Sequence, residues 1–283
     1  MRAILVIRCP DRPGIVAAIS SFLFARSANI TDLDQHSSDP EGGTYFMRLE
    51  FHLIGLEKDL GELRRHFETE VASPFAMEWR LVPATDRKKV AVLVSKQDHA
   101  LLELLWSWKR GDLRADVTIV ISNHPDLRSA VEPFGVLFEH VPNTRETRAA
   151  AEARMLELLD GRADLLVLAR YMQILSPELT ARFANRIINI HHSFLPAFAG
   201  ADPYRQAHDR GVKIVGATAH YVTAELDAGP IIEQDVGRVS HRDSVDDLKA
   251  LGRDLERRVL ARAVKWHCEE RTLVHGNKTI VFS

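Results

Sequence analysis

Two short runs decide how the second half of this chain can fold. Residues 90–94 read VAVLV and residues 165–169 read LLVLA. Neither contains a polar residue, so neither can turn one side to water. Strands apolar on both faces belong inside a parallel sheet covered by helices on each side. The intervening segments supply those helices. Residues 100–109 and 145–159 have helical spacing, and further strands are expected at 117–121 and 136–141. Strand alternating with helix gives an α/β, Rossmann-like, mostly parallel sheet with helices on both faces. A long amphipathic helix is expected from Ser244 to about Cys268, opened by Ser244-Val245-Asp246-Asp247, a capping box with Asp in the acidic place.

The first 82 residues follow a different grammar. Strands are expected at 3–7, 30–36, 45–53 and 75–81, and helices at 15–25 and 56–71. Residues 45–53 alternate, with Tyr45, Met47, Leu49, Phe51 and Leu53 on one side, and the turn before them is Asp39-Pro40-Glu41-Gly42-Gly43. The order βαββαβ is ferredoxin-like. Pro83-Ala84-Thr85-Asp86-Arg87-Lys88-Lys89 then reads as a linker. At about 150 residues per domain, 283 residues make roughly two domains. The expected division is 1–82, a linker 83–89, and 90–283.

Overall composition excludes several classes of function. The formal net charge is -2, which argues against non-specific binding to nucleic acid or a membrane surface. Cys9 and Cys268 are too few for a disulfide scaffold, which points to a reducing compartment. The first apolar run stops at Arg8-Cys9-Pro10-Asp11, too short for a secretory signal, and no later run has the length of a membrane span. A cytoplasmic protein is expected.

The richest chemistry lies between residues 185 and 234. In Ile188-Asn189-Ile190-His191, Asn189 and His191 point to one side of a strand and the isoleucines to the other. An amide and an imidazole at the carboxyl end of a strand lie where open α/β sheets bind ligands, although a solvated strand end reads the same way. Asp227 stands in a Leu-Asp-Ala-Gly-Pro turn, where aspartate commonly forms an Asx turn. Together the three side chains could polarise a carbonyl, orient water and pass protons, which suits acyl transfer or hydrolysis without a covalent nucleophile. A zinc site from His191, His192 and His220 is the competing reading, without the spacing of HExxH or CxxC. Ser95 and Ser193 lack the Gly-x-Ser-x-Gly of a serine hydrolase.

Residues 189–196, NIHHSFLP, followed by Leu226-Asp227-Ala228-Gly229-Pro230, resemble the folate-dependent formyltransferase domain. Residues 169–176, ARYMQILS, look like the segment whose main chain grips the pterin in that family. Asp11-Arg12-Pro13-Gly14-Ile15-Val16 and Ala28-Asn29-Ile30 look like an ACT domain, and GNKTIVF at 276–282 looks like the matching carboxyl terminus. The whole chain resembles the formyltetrahydrofolate deformylase family.

That resemblance implies hydrolysis of 10-formyltetrahydrofolate to tetrahydrofolate and formate, balancing one-carbon pools and supplying formate for purine synthesis. It implies catalytic roles for Asn189, His191 and Asp227, and a folate pocket at Met172, Gln173, Ile174, Leu175, Val222 and Thr223. The folate is the substrate, and neither a further cofactor nor a metal is expected. The ACT half implies regulation by an amino acid, glycine or methionine, through Asp11, Gly14 and Asn29, with assembly into a homo-oligomer. Where the glycinamide ribonucleotide branch has a glycine-rich phosphate loop, this chain has Ser95-Lys96-Gln97-Asp98-His99. Without glycine a backbone seldom approaches a phosphate closely. Two rival functions remain: formyl transfer to a small amine or an aminoacyl-tRNA, and a non-catalytic folate or amino-acid sensor. Transfer to tRNA would want an added basic region, which is missing here.

Overall fold

A computed structural model describes residues 1–39, 41–144, 146–196 and 203–282. It divides by contacts into two units. One is Met1–Asp86 with 269–271 and 280–283; the other is Arg87–Cys268 with 272–279. The tail thus departs from the expectation that put all of 90–283 in the second unit. Arg271 explains part of this: its guanidinium donates to the carbonyl of Phe282, and the Phe282 amide donates back to Arg271. Glu270 in turn accepts from Arg80 of the last strand of the first unit.

The first unit runs β1 (Arg2–Pro10), α1 (Ile15–Phe24), β2 (Asn29–Ser37), β3 (Thr44–His52), α2 (Leu56–Phe67) and β4 (Glu78–Pro83). Its sheet is antiparallel in the order β2-β3-β1-β4. Ala3, Leu5 and Ile7 of β1 and Met47, Leu49 and Phe51 of β3 bury against Ile19, Leu23, Leu63 and Phe67 of the helices. The strand expected from Phe75 starts only at Glu78. Residues 68–75 continue α2 as a π turn and a 3₁₀ turn, and Ala76 ends them in a left-handed conformation at φ 50°. Pro40, in the expected hairpin turn, lies outside the described residues.

The second unit runs β5 (Lys88–Val94), α3 (His99–Arg110), β6 (Ala115–Ser122), α4 (Arg128–Val131), β7 (Leu137–His140), α5 (Arg148–Leu159), β8 (Leu165–Ala169), α6 (Pro177–Arg182), β9 (Ile187–His191), α7 (Pro203–Arg210), β10 (Ile214–Tyr221), β11 (Ile231–Arg238) and α8 (Val245–Cys268). A short ribbon of β12 (Thr272–His275) and β13 (Lys278–Val281) follows. The helix expected from Arg145 is described from Arg148; Arg145 itself lies outside the described residues.

The central sheet has the order β11-β10-β9-β8-β5-β6-β7. The five strands from β9 to β7 are parallel, while β10 and β11 are antiparallel. Alternation along β5 splits the core into two layers. Val90, Val92 and Val94 pack with Leu101, Leu105, Val259 and Val264 of α3 and α8. Ala91 and Leu93 pack on the other face with Met155 and Leu158 of α5 and Leu179 of α6. The capping box forms as expected: Asp247 accepts from the Ser244 amide at 2.8 Å, and its own amide donates to Ser244 Oγ at 3.2 Å.

From β5 the chain steps outward to β6 and β7, then returns to the opposite side of β5 as β8. The reversal leaves a crevice beyond the carboxyl ends of β5 and β8, where sheets of this topology take ligands.

Candidate active site

Strand pairing brings the polar residues together. Asn189 of β9 lies directly opposite His220 of β10, and His191 lies opposite Thr218. Cross-strand partners share a face. The Asn189 amide nitrogen is accordingly 3.2 Å from His220 Nε2. His220 Nδ1 faces the carbonyl oxygen of Tyr221 at 2.9 Å, and a carbonyl can only accept, so Nδ1 carries the proton. In the neutral ring Nε2 then accepts from Asn189, which leaves the second amide hydrogen of Asn189 for the cavity.

Asp227 arrives from the loop between β10 and β11. Its φ of 54° is a left-handed conformation that aspartate tolerates better than most residues. One carboxylate oxygen lies 3.2 Å from His191 Nδ1 and the other 3.6 Å from His220 Nε2. Hydrogen bonding from His191 holds the carboxyl well below the usual aspartate range despite partial burial. The remaining ring nitrogen of His191, Nε2, is buried without a hydrogen-bond partner.

The surrounding backbone is tied down. Thr218 Oγ1 donates to the Ser193 carbonyl at 2.9 Å and accepts from the Leu195 amide at 3.1 Å, which fixes the chain leaving β9. Tyr221 hydroxyl meets His267 Nδ1 at 2.7 Å and Thr272 Oγ1 at 2.8 Å. The Tyr221 amide donates to the Pro230 carbonyl at 2.9 Å, closing the loop that carries Asp227. A Cβ at Gly229 would collide with the Tyr221 carbonyl oxygen, so only glycine passes there.

These groups border a cavity of about 320 Å³, of the size that holds a small-molecule ligand. All nine residues expected in the catalytic and folate sites line it: Asn189, His191, Asp227, Met172, Gln173, Ile174, Leu175, Val222 and Thr223. The 172–176 segment is pinned from behind. The Met172 amide donates to Ser95 Oγ at 3.0 Å, the Ile174 carbonyl accepts from Arg148, and the Ser176 amide donates to Glu152 at 2.8 Å. Met172 and Ile174 remain about 60% exposed at the rim, an apolar lip in want of a flat ligand.

Beside His191 a second cluster closes the switch-point crevice. Glu256 of α8 accepts from Tyr204 at 3.1 Å, and its other oxygen lies 2.8 Å from His99 Nε2 and 3.5 Å from Arg170 Nε. Burial pushes the Glu256 carboxyl up, but His99 and Arg170 outweigh it and the net shift is downward. Burial, then Arg170 and His191, press His192 down to about 4, so it is neutral at physiological pH. Sequence reasoning gave His220 only as a zinc candidate and passed over this cluster. The readable signal for His220 was a lone imidazole inside the apolar run GATAHYV. Among the described residues no group of three His, Cys, Asp or Glu is placed to hold a metal ion.

The expected effector residues do not converge within one chain. Asn29 pairs through His52 with Arg2, whereas Asp11 and Gly14 follow Pro10 at the far end of β1. Eight residues of strand separate them by about 25 Å. Moreover β3 lies between β2 and β1, so Asn29 does not adjoin β1. Asp11 is engaged with Ser37, and Gly14 opens α1 at φ 96°.

Comparison with known proteins shows the family to which the chain belongs. Residues 88–264 match the family described as formyl transferase and residues 3–68 the ACT domain. The chain is 58% identical over 278 residues to a formyltetrahydrofolate deformylase of Mycobacterium bovis, covering 98% of this chain and 90% of that protein. It is 52% identical to one from Bacillus subtilis, covering 99% and 93%. A solved formyltetrahydrofolate deformylase from Pseudomonas syringae superposes with a TM-score of 0.96 at 49% identity, covering all of this chain and 95% of that one. No described helix is long and apolar enough to cross a membrane.

Proposed function

We infer the roles of the site's residues from one premise, that this chain belongs to the formyltetrahydrofolate deformylase family: it hydrolyses 10-formyltetrahydrofolate to tetrahydrofolate and formate. The observation that carries the reading is the 3.2 Å pairing of His191 Nδ1 with Asp227, which leaves Nε2 of His191 unpartnered beside Asn189 in the one cavity.

The substrate is an N-aryl formamide. Its pterin rests on the 172–175 and 222–223 segments, with the formyl group among Asn189, His191 and Asp227. As water attacks the formyl carbon, charge gathers on the formyl oxygen. The free amide hydrogen of Asn189 and Nε2–H of protonated His191 meet that charge; one such donor is worth about 3–4 kcal/mol. Asp227 balances the imidazolium and orients the water. A carboxylate held this low is a weak base, so it accepts the water's proton only as the C–O bond forms. His191 gives its Nε2 proton to N10, the C–N bond breaks, and formic acid leaves and ionises. Asp227 then releases its proton to solvent, and Nε2 of His191, the nitrogen left bare, takes one up from solvent, which restores the starting state. With no amine added, formate and tetrahydrofolate are expected to appear one for one as substrate is consumed. Turnover that requires an amine would reject hydrolysis, and binding without turnover would make the protein a sensor.

The first unit is assigned amino-acid sensing, with glycine or methionine as effector, and assembly into a homo-oligomer. Since Asn29 lies at the far end of the sheet from Asp11 and Gly14, one ligand reaches all three only across two copies. Calorimetric titration with each amino acid is expected to give heat and to change the rate of formate release. Absence of both effects would leave assembly as this unit's part.

A further inference from the structure

The mechanism leaves the Glu256 cluster unused, although it is buried, charged and built at some cost. Gly252 lies in mid-helix, where glycine weakens α8. The reason is visible one turn before Glu256: a Cβ at Gly252 would collide with the Tyr204 ring. Helix propensity has been given up to seat Tyr204 against the helix, with its hydroxyl on Glu256.

The cluster fills a particular place. Gln97 and His99 follow β5, and Arg170 follows β8 at a left-handed φ of 63°, so these residues stand at the two sides of the switch-point crevice. Gln97 accepts from Arg170 Nε at 2.8 Å. His99, Tyr204 and Glu256 are each at most 9% exposed, and the His192 ring lies 6.2 Å from that of Tyr204 and 5.1 Å from that of His191. Where an open sheet of this topology would take a ligand, this one holds its own side chains.

The walls of the cavity give the consequence. Around Asn189 and His191, two sides are the 171–175 and 222–227 segments assigned to the folate. Among the described residues, Arg170 and His192 form a further wall next to the cluster, with Arg170 3.5 Å from Glu256 and the His192 ring 6.2 Å from that of Tyr204. A nucleophile larger than water needs room on that wall. We propose that Glu256, His99, Arg170 and Tyr204 form a plug that determines acceptor specificity, restricting the formyl acceptor to water.

This proposal rests on the hydrolytic reading, and its test separates the two. A small primary amine that reached the formyl carbon would form the new C–N bond and lose one proton. The bond to N10 would break and N10 would take a proton, giving tetrahydrofolate and an N-formyl amine with no other reactant. The full-length enzyme is therefore run with 10-formyltetrahydrofolate in glycinamide, at a pH where the amine is neutral, with formate and N-formylglycinamide measured together. Formate release reports on hydrolysis; the ratio of products reports on the plug. The unaltered enzyme is expected to yield formate alone. His99→Ala and Tyr204→Ala are each expected to give N-formylglycinamide at about tenfold or more above the background found with the unaltered enzyme, the range over which a pocket wall discriminates. N-formylglycinamide rising with amine concentration in the unaltered enzyme overturns the proposal whether or not the variants fold. An unchanged ratio in both variants, while they stay folded and still release formate, overturns it as well.

Discussion

Replacing Asp227 with asparagine is expected to leave the fold intact and lower kcat by about 10³-fold or more. The substitution keeps shape and removes charge. An amide can neither take the attacking water's proton nor balance the positive charge that the mechanism places on His191, whose Nδ1 lies 3.2 Å away. The Michaelis constant should move little, because the folate is held mainly by other segments. Stability gives an independent check. The hydrogen bond from His191 holds the folded carboxyl below its ordinary value. A depressed acid stabilises the native state above the unfolded value of about 4, and that contribution is lost as pH falls through the folded value. The difference in unfolding midpoint between the parent and Asp227→Asn should therefore be full at neutral pH and shrink in acid. Near-parental turnover by the variant would refute the role given to Asp227.

His191→Ala is expected to cost at least as much, about 10³- to 10⁴-fold in kcat, since one side chain supplies both an oxyanion donor and the proton for N10. The cavity should survive, as Thr218 fixes the main chain beyond His191 through the Ser193 carbonyl and the Leu195 amide. Residues acting as a unit are strongly non-additive. The double variant His191→Ala, Asp227→Asn should thus be scarcely slower than the worse single one. Losses that multiplied would mean that the two side chains act in separate steps.

Much of this was legible in the linear chain because it depends on local periodicity. The runs VAVLV and LLVLA specify buried parallel strands without reference to anything distant, and Ser244 with Asp247 specifies a helix start within four residues. Asn189, His191 and Asp227 were legible as a chemical set, supported by resemblance. What depends on register was not. His220 becomes a partner of Asn189 only when β10 pairs antiparallel with β9, and nothing in GATAHYV announces which strand it will face. Glu256 reads as one more charge on an amphipathic helix until His99, Arg170 and Tyr204 arrive from three other elements. Asn29 illustrates the opposite failure. Resemblance to an ACT domain grouped it with Asp11 and Gly14, whereas β3 intervenes and the strand direction carries it away.

The bond from the Tyr221 amide to Pro230, with Gly229 pressed against the Tyr221 carbonyl, makes residues 222–228 a loop of fixed perimeter. Its side chains can be exchanged at the rim, but its residue count cannot change without shifting the phase at which Asp227 faces inward. In a redesign of this scaffold, length rather than composition is the quantity to conserve in that arc.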